Sequence, residues 1–198
     1  MNILECRDLT KRYKSGVNVL DKFSIDIPKG RIVGLLGPNG CGKSTLIKLI
    51  SGLLQPNGGE PVGEKTRAMI SYLPERTYFN SWMKVDELVT YFEEFYSDFD
   101  KPRAYSLLEA LGIDRGAKLR SLSKGTKEKV QLILVMSRRA KLYLLDEPIA
   151  GVDPAAREYI LSTIVSNYDP EATIIITTHL ISDVEQVLDD FIFLSQSG

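Results

Sequence analysis

Residues 37–45 read Gly37-Pro38-Asn39-Gly40-Cys41-Gly42-Lys43-Ser44-Thr45 and fit the pattern G-x-x-x-x-G-K-[ST] at every fixed position. The apolar run Ile32–Leu36 precedes the motif, and apolar residues follow it at helical spacing as far as Leu53. A strand, a glycine-rich loop and a helix in this order are the setting in which the motif binds phosphate. A glycine-rich turn with an incidental lysine is the alternative, but it leaves the match of both flanks unexplained.

The residue types in this loop suit a nucleoside triphosphate and its metal ion. Glycines let the backbone turn tightly, so that its N–H groups approach phosphate oxygens. The helix expected from about Lys43 adds the N–H groups and the positive dipole end of its first turn. We predict that Lys43 places its charge on the β- and γ-phosphates. We predict also that Ser44, with Thr45 beside it, binds Mg²⁺.

Length and composition bound the class of protein. The chain has 198 residues and a formal net charge of −1, so it lacks the basic balance typical of nucleic-acid binding. Its two cysteines, Cys6 and Cys41, show no metal-binding spacing, and we expect no disulfide and a reducing cytosol. We find no signal peptide and no apolar run near the roughly 18 residues of a membrane span.

Hydrophobic periodicity along the chain predicts strands that alternate with helices. Strands are expected at residues 3–6, 17–20, 23–27, 68–73, 141–145, 173–178 and 191–194, with a loop at 55–59. Helices are expected at residues 85 to about 110, 123 to about 139, 154–166 and 181–188. The pattern predicts an α/β fold: a P-loop NTPase core with a mainly parallel sheet, an N-terminal antiparallel β-layer and an inserted helical subdomain.

Acidic residues and a histidine follow predicted buried strands. Asp146 and Glu147 end one strand, at the sheet edge where ligands of open α/β sheets bind. One carboxylate there can hold Mg²⁺, and Glu147 can act as the general base for the water that attacks the γ-phosphate. His179, the only histidine, follows the next strand. A lone histidine is usually structural, but this position favours contact with the γ-phosphate or with water.

A series of motifs completes the pattern. After the phosphate loop come Leu122-Ser123-Lys124-Gly125-Thr126-Lys127, Leu144-Leu145-Asp146-Glu147-Pro148, Ala150-Gly151-Val152-Asp153 and His179. In this order they resemble the ATP-binding subunits of ABC transporters, over essentially the whole chain, and the serine-glycine signature is very specific. The resemblance implies one ABC ATPase domain over residues 1–198, with the core at 1–73 and 141–198 and the helical subdomain at about 74–140.

The resemblance also implies roles for single residues. At the nucleotide, Tyr13 would stack on adenine, all nine loop residues 37–45 would hold phosphate, and Lys43 would assist catalysis. At the metal, the ligands would be Ser44, Asp146 and Glu75 in the Q-loop. Glu147 would be the catalytic base, His179 the switch histidine and Asp153 the D-loop residue. Ser123 and Gly125 would contact the γ-phosphate of ATP held by the opposite subunit.

The chain departs from the family pattern at several points. Glu75 replaces the usual glutamine, and a glutamate at this position can still bind Mg²⁺ or water. The signature reads Leu-Ser-Lys-Gly-Thr, which, with Lys127 and Lys129 after it, looks like ATPases of the ABC-2 type. The chain is short between Gly59 and Pro61, and it ends at Gly198 where relatives usually continue.

The resemblance predicts a subunit that binds and hydrolyses Mg-ATP and powers a separate transmembrane permease. It would form a homodimer or a heterodimer of ATPase subunits when ATP is bound, and it would lie on the cytoplasmic face of the cell membrane. Three aromatics, Tyr78, Phe79 and Trp82, would then stay partly exposed to receive the permease, with burial in the core as the alternative for any one of them. Alternatives are a soluble ABC ATPase of DNA repair or translation, and a regulatory ATP-binding module. No nucleic-acid partner is expected.

Overall fold

The computed structural model describes residues 1–13, 16–63, 69–76, 78–150, 153–167 and 169–195. Its strands are β1 Asn2–Arg12, β2 Asn18–Pro28, β3 Ile32–Leu36, β4 Gly58–Gly63, β5 Ile70–Leu73, β6 Leu142–Asp146, β7 Thr173–Thr178 and β8 Asp190–Phe193. Its helices are α1 Lys43–Ile50, α2 Val85–Phe95, α3 Lys101–Ala110, α4 Lys124–Met136, α5 Pro154–Asn167 and α6 Ile181–Val184. No helix among the described residues is both long and apolar enough to cross a membrane.

The predicted α/β fold is confirmed, because a parallel sheet lies beside an antiparallel one. The parallel sheet has the strand order β5-β6-β7-β3-β8, and the antiparallel sheet has the order β2-β1-β4. Every residue of β3, β6 and β7 is buried. Strands covered on both faces need apolar residues at successive positions, which explains the unbroken apolar runs in the sequence.

Alternate residues of the parallel strands pack against different helices. On β7, Ile175 packs in one cluster with Leu46 and Ile47 of α1. Ile174 and Ile176 lie in the opposite cluster, with side chains of α4 and α5. The sheet is therefore fixed from both sides, and its carboxyl edge is held rigidly beside the phosphate loop.

The N-terminal strands are longer than the short segments predicted at 3–6, 17–20 and 23–27. β1 and β2 pair along most of their length, with register shifts near Asp8 and Lys22. These two residues have φ values of 50° and 47°, in the left-handed region. Such bulges interrupt the alternation of inward and outward side chains, so the sequence pattern predicts shorter strands than the structure contains.

The loop predicted at 55–59 is partly wrong, because Gly58 and Gly59 belong to β4. This strand pairs with β1 and includes the segment that the sequence suggested was short. Gly59 has a φ of 67°, and a Cβ there would overlap the backbone of Arg7 and Asp8. The glycine that permits this close pairing also explains why the sequence pattern predicts a loop here, since glycine is depleted in strands.

The helix predicted from 85 to about 110 is also wrong, because two helices occupy this range. α2 ends where Tyr96 adopts an extended conformation, and α3 begins after Asp100, whose side chain accepts a hydrogen bond from the backbone N–H of Arg103. Pro102 in the first turn of α3 fits a new start, since proline there lacks only an N–H that would be unpaired. The last predicted helix is shorter too, because α6 ends at Val184.

The α2–α4 region has its own apolar core and is joined to the parallel sheet by a buried arginine. Arg138 donates to both carboxylate oxygens of Asp98, at 3.0 and 3.1 Å, and to the carbonyl oxygen of Ile70 at 2.6 Å. Its guanidinium carbon lies 3.8 Å from the centre of the Tyr96 ring. Only 2% of the Arg138 side chain is exposed, so the junction depends on these partners. The subdomain boundaries near 73 and 140 stay a prediction.

Replacing Asp98 by alanine is expected to lower the free energy of unfolding by about 2 kcal/mol, because it leaves a buried guanidinium with fewer partners. Thermal unfolding of the purified variant measures the loss. Arg139→Ala is the matched control, since Arg139 forms a 3.0 Å ion pair with Asp100 but is 76% exposed. We expect at most about 0.5 kcal/mol from the control. Equal losses in the two variants would contradict the role of the buried junction.

Candidate functional site

The phosphate loop joins β3 to α1 through a backbone that glycine adopts easily. Gly40 has a φ of 83° and Gly42 a φ of 105°, both in the left-handed region. Gly42 is the N-cap of α1, which begins at Lys43. The first N–H groups of a helix have no carbonyl partner within it, so this turn offers donors to an anion.

A cavity of about 420 Å³ joins this loop to segments that are distant in the sequence. Its lining residues are Val19, Asn39, Gly40, Gly42, Lys43, Ser44, Thr45, Glu75, Glu147, Ala150 and His179. Glu75, Glu147 and His179, which the sequence assigns to one site, thus share a cavity with the loop. Parallel strands bring them together, because β6 and β7 end at the same edge as β3.

Lys43 is nearly inaccessible, with 6% of the residue exposed. Its Nζ donates to the carbonyl oxygens of Gly37 at 2.7 Å and Pro38 at 3.1 Å, and it lies 3.7 Å from Oε1 of Glu147. Cys41, which belongs to the loop, is also buried. Phosphate oxygens form stronger bonds to an ammonium than neutral carbonyls do, so the lysine suits an anion in the cavity.

Asp146, which the sequence predicts as a Mg²⁺ ligand, is 1% exposed. Its Oδ1 accepts hydrogen bonds from the Ser44 hydroxyl at 3.0 Å and from the Thr177 hydroxyl at 2.7 Å. Within the described ranges, no three His, Cys, Asp or Glu side chains are grouped so as to hold a metal by themselves. The residues fit Mg²⁺ bound with a nucleotide, since Mg²⁺ takes few protein ligands and fills its shell with phosphate and water.

Glu147 combines an unusual backbone with a well-fixed carboxylate. Its φ is 50°, a conformation that costs energy for a residue other than glycine and is common at functional sites. Its N–H contacts both the carbonyl oxygen and the hydroxyl of Thr177, at 3.1 and 2.9 Å. Its Oε2 lies 3.0 Å from Nδ1 of His179, while Oε1 faces Lys43. The carboxylate therefore lies between a cation and an imidazole at the cavity wall.

Sequence analysis missed Thr177, which contacts both acidic residues of the site. The segment 173–178 was interpreted only as a strongly apolar strand, and the hydroxyl carries no motif of its own. The one signal that could have indicated Thr177 is its position as a polar residue at the carboxyl end of a buried strand.

Tyr13 lies beside the loop, at the end of β1. It is 44% exposed, and its hydroxyl is 3.4 Å from that of Thr45. Nζ of Lys11 lies 5.8 Å from the centre of the ring. An accessible aromatic ring next to a phosphate loop suits a stacked base, and its contact with adenine stays a prediction.

The signature residues lie apart from the 420 Å³ cavity. Ser123 caps α4 by accepting from the N–H of Thr126 at 3.2 Å, and Asp153 Oδ2 lies 3.8 Å from where a Cβ on Gly125 would be. Neither Ser123, Gly125 nor Asp153 is among the described residues that line the cavity. Their assigned nucleotide contacts stay predictions, and the preceding residues 151 and 152 lie outside the described ranges.

A second cavity, of about 510 Å³, lies between the helix α4 that carries the signature and the carboxyl end of β6. It is lined by Leu73, Pro74, Glu75, Arg76, Lys124, Lys127, Glu128, Gln131, Asp146, Glu147, Pro148 and Ala150. Burial raises the pKa of the Glu128 carboxyl above its ordinary value, although the charge of Lys124 opposes this. Glu75 and Glu147 line both cavities, so the two are adjacent.

Comparison with known sequences shows what this arrangement is similar to. Residues 20–150 match the family model described as ABC transporter. An uncharacterized ABC transporter ATP-binding protein of Synechocystis sp. is 31% identical over 98% of this chain and 61% of its own length. The ABC transporter ATP-binding protein YtrB of Bacillus subtilis is 32% identical over 99% of this chain and 70% of its own length. The chain thus spans under two thirds of the first relative.

Comparison with solved structures also finds ATP-binding proteins of ABC transporters. An ATP-binding subunit of an ABC transporter superposes with a TM-score of 0.86 at 29% identity, over 97% of this chain and 85% of the other. A putative ABC transporter ATP-binding protein from Pyrococcus furiosus gives a TM-score of 0.82 at 30% identity, over 96% of each chain. The likeness therefore covers both sheets and the helices between them.

Proposed function

The chain belongs to the ABC transporter family, among its ATP-binding subunits, and we propose that it binds Mg-ATP and hydrolyses it to power a membrane transporter. The observation that carries the proposal is the shared cavity in which Lys43, Glu147 and His179 meet the phosphate loop. The loop amides and Lys43 bind phosphate, with Lys43 exchanging its carbonyl contacts for phosphate oxygens. Bound Mg²⁺ would neutralise charge on those oxygens.

Hydrolysis in this proposal is general-base catalysis by Glu147. Its carboxylate accepts a proton from the water that attacks the γ-phosphate, and the strained backbone holds it at the cavity wall. His179, 3.0 Å from Oε2, orients the carboxylate and contacts the γ-phosphate or water. Ser44 and Asp146, which are hydrogen-bonded to each other, would be ligands of Mg²⁺. Glu75 would be a further ligand from another part of the cavity wall. Glu75 has a carboxylate where the family usually has the amide of glutamine, and Mg²⁺ binds carboxylate oxygens as well.

We infer a separate transmembrane permease as partner, and a peripheral position at the cytoplasmic face of the cell membrane. Support comes from the exposed aromatics before α2: Tyr78 is 75% and Trp82 59% exposed. Phe79 is half-buried, with its ring centre 5.9 Å from that of Phe92. Exposed aromatic side chains are typical of interaction sites, and Tyr78 and Trp82 are four residues apart in the sequence. The ABC-2 type of transporter stays a prediction from the signature sequence.

Assembly in this proposal is a head-to-tail pair of ATPase subunits, alike or different. Ser123 and Gly125 would reach across to the γ-phosphate held by the partner, since neither lines the described cavity of its own chain. Two-fold symmetry would use each surface twice. Loss of the γ-phosphate on hydrolysis would then release the interface.

Calorimetric titration of the purified chain with ATP and Mg²⁺, followed by measurement of phosphate release, tests the proposed function. We expect saturable ATP binding and a phosphate release that EDTA abolishes. A folded chain that binds no ATP at millimolar concentration would contradict the proposal.

Tyr13→Ala is expected to raise the Kd for ATP about tenfold, because stacking on one base contributes roughly 1–3 kcal/mol. Tyr13→Phe keeps the ring and should leave the Kd within about twofold. Titration of each variant with ATP measures both values. Equal losses would point instead to the hydroxyl and its contact with Thr45, and no loss in either would assign Tyr13 to the surface alone.

A further inference from the structure

We propose that Thr177 is a positioning residue that fixes Asp146 and Glu147 together for Mg²⁺ binding and hydrolysis. The inference rests on the proposed function and deepens it. Thr177 is not among the described residues that line the 420 Å³ cavity, so it acts through Asp146 and Glu147, which it contacts. A single hydroxyl contacts both of them.

The first contact orients the Asp146 carboxylate. The Thr177 hydroxyl donates to Oδ1 at 2.7 Å, and the Ser44 hydroxyl donates to the same oxygen at 3.0 Å. With its proton directed at Asp146, Ser44 keeps its oxygen lone pairs for a metal ion. Loss of the Thr177 donor frees the carboxylate to rotate away from Ser44, and the serine is then no longer held for the metal.

The second contact holds the strained backbone of Glu147. The same Thr177 oxygen accepts a hydrogen bond from the N–H of Glu147 at 2.9 Å, next to the Thr177 carbonyl oxygen at 3.1 Å. A residue at a φ of 50° stays there only when its surroundings fix it. Thr177 therefore helps to set where the Glu147 carboxylate meets Lys43 and His179.

The position of Thr177 in the sheet makes its hydroxyl rigid. Thr177 is fully buried, and it lies opposite Asp146 on β6 and Leu35 on β3. A β-branched side chain in a central strand has restricted χ1, so the hydroxyl stays in one direction. Valine has the same shape with a methyl group in place of the hydroxyl, while serine keeps the hydroxyl and lacks the methyl group.

A matched control exists on the same strand. Thr173 is also fully buried, and its hydroxyl donates to the carbonyl oxygen of Pro28 at 3.1 Å and accepts from the N–H of Gly30 at 2.9 Å. It lies at the opposite end of β7 from the site. Thr173→Val therefore removes an equivalent pair of hydrogen bonds without touching Asp146 or Glu147.

The experiment compares Thr177→Val, Thr177→Ser and Thr173→Val with the parent chain. Calorimetric titration with β,γ-imido-ATP, which is not hydrolysed, gives a Kd in Mg²⁺ and a Kd in EDTA. We expect Thr177→Val to lose about 10- to 100-fold of the Mg²⁺-dependent affinity and of kcat, as is typical when a residue behind a metal ligand is removed. Its Kd in EDTA should change less than about threefold, and Thr177→Ser should recover most of both losses.

Thermal unfolding separates this role from a purely structural one. Thr173→Val should lower Tm about as much as Thr177→Val and leave both the Mg²⁺ dependence and kcat near the parent values. Unchanged Mg²⁺-dependent affinity and kcat in Thr177→Val would overturn this inference but not the proposed function. Equal losses in Thr173→Val would do the same. A parent chain that binds imido-ATP in neither buffer overturns the proposed function and this inference together.

Discussion

Glu147→Gln is expected to lower kcat for ATP hydrolysis by about 10²- to 10⁴-fold, the range of a general base, while Mg-ATP still binds. Glutamine keeps the size of the side chain and can still form a hydrogen bond to His179, but it cannot accept the proton. It also tolerates the backbone conformation about as well as glutamate does. Phosphate release at saturating ATP measures the loss, and calorimetric titration measures the binding.

The control is Glu128→Gln on α4. Glu128 lines the neighbouring 510 Å³ cavity, and one of its oxygens is buried without a partner. It has no contact with Lys43 among the described residues, so kcat should stay within about threefold. Parent-like turnover in Glu147→Gln would reject the base assignment.

The same variant tests assembly. With ATP bound and not consumed, Glu147→Gln should accumulate as a dimer in Mg²⁺, whereas the parent stays mostly monomeric without its permease. Light scattering of both proteins with ATP distinguishes the two states. A variant that stops hydrolysing ATP and stays monomeric at high concentration would support Glu147 as the general base and would argue against the ATP-bound dimer.

Lys43→Ala is expected to weaken ATP binding or reduce turnover by about 10²-fold or more, because a preorganised cationic donor on the phosphates is lost. The fold should survive, since the Lys43 ammonium contacts loop carbonyls and Glu147 rather than apolar core. Titration with ATP, phosphate release and thermal unfolding together measure these effects.

Lys48→Ala is the matched control, because Lys48 lies in the last turn of the same helix α1 and does not line the described cavity. We expect its ATP affinity and turnover to stay within about twofold of the parent. Full activity in a folded Lys43→Ala protein would refute the role of the phosphate loop.

The parts of the site that local sequence patterns mark could be predicted from the sequence. The loop lies between β3 and α1 because its flanks are a buried strand and an amphipathic helix. Asp146 and His179 were expected near it because each follows an apolar run, and parallel strands end at one edge. These inferences need only residue type and spacing.

What could not be predicted depends on contacts between distant residues. Thr177 gains its role only when β7 lies beside β6, which sets its hydroxyl against Asp146. The break between α2 and α3 is marked by a cap at Asp100, but helical periodicity continues across it. The left-handed residues in β1 and β2 likewise shift the register without a sequence signal such as glycine.

The buried Arg138 junction also determines how force would travel through the molecule. The guanidinium holds Asp98, between α2 and α3, and the backbone of Ile70 at the start of β5. β5 leads directly to Glu75, which lines the nucleotide cavity. A rotation of the helices must therefore either break the Asp98 contacts or displace the edge strand with them. Mechanical load on α2 would therefore reach Glu75, just beyond the outer strand β5, which lies three strands away from β3 and the phosphate loop that follows it.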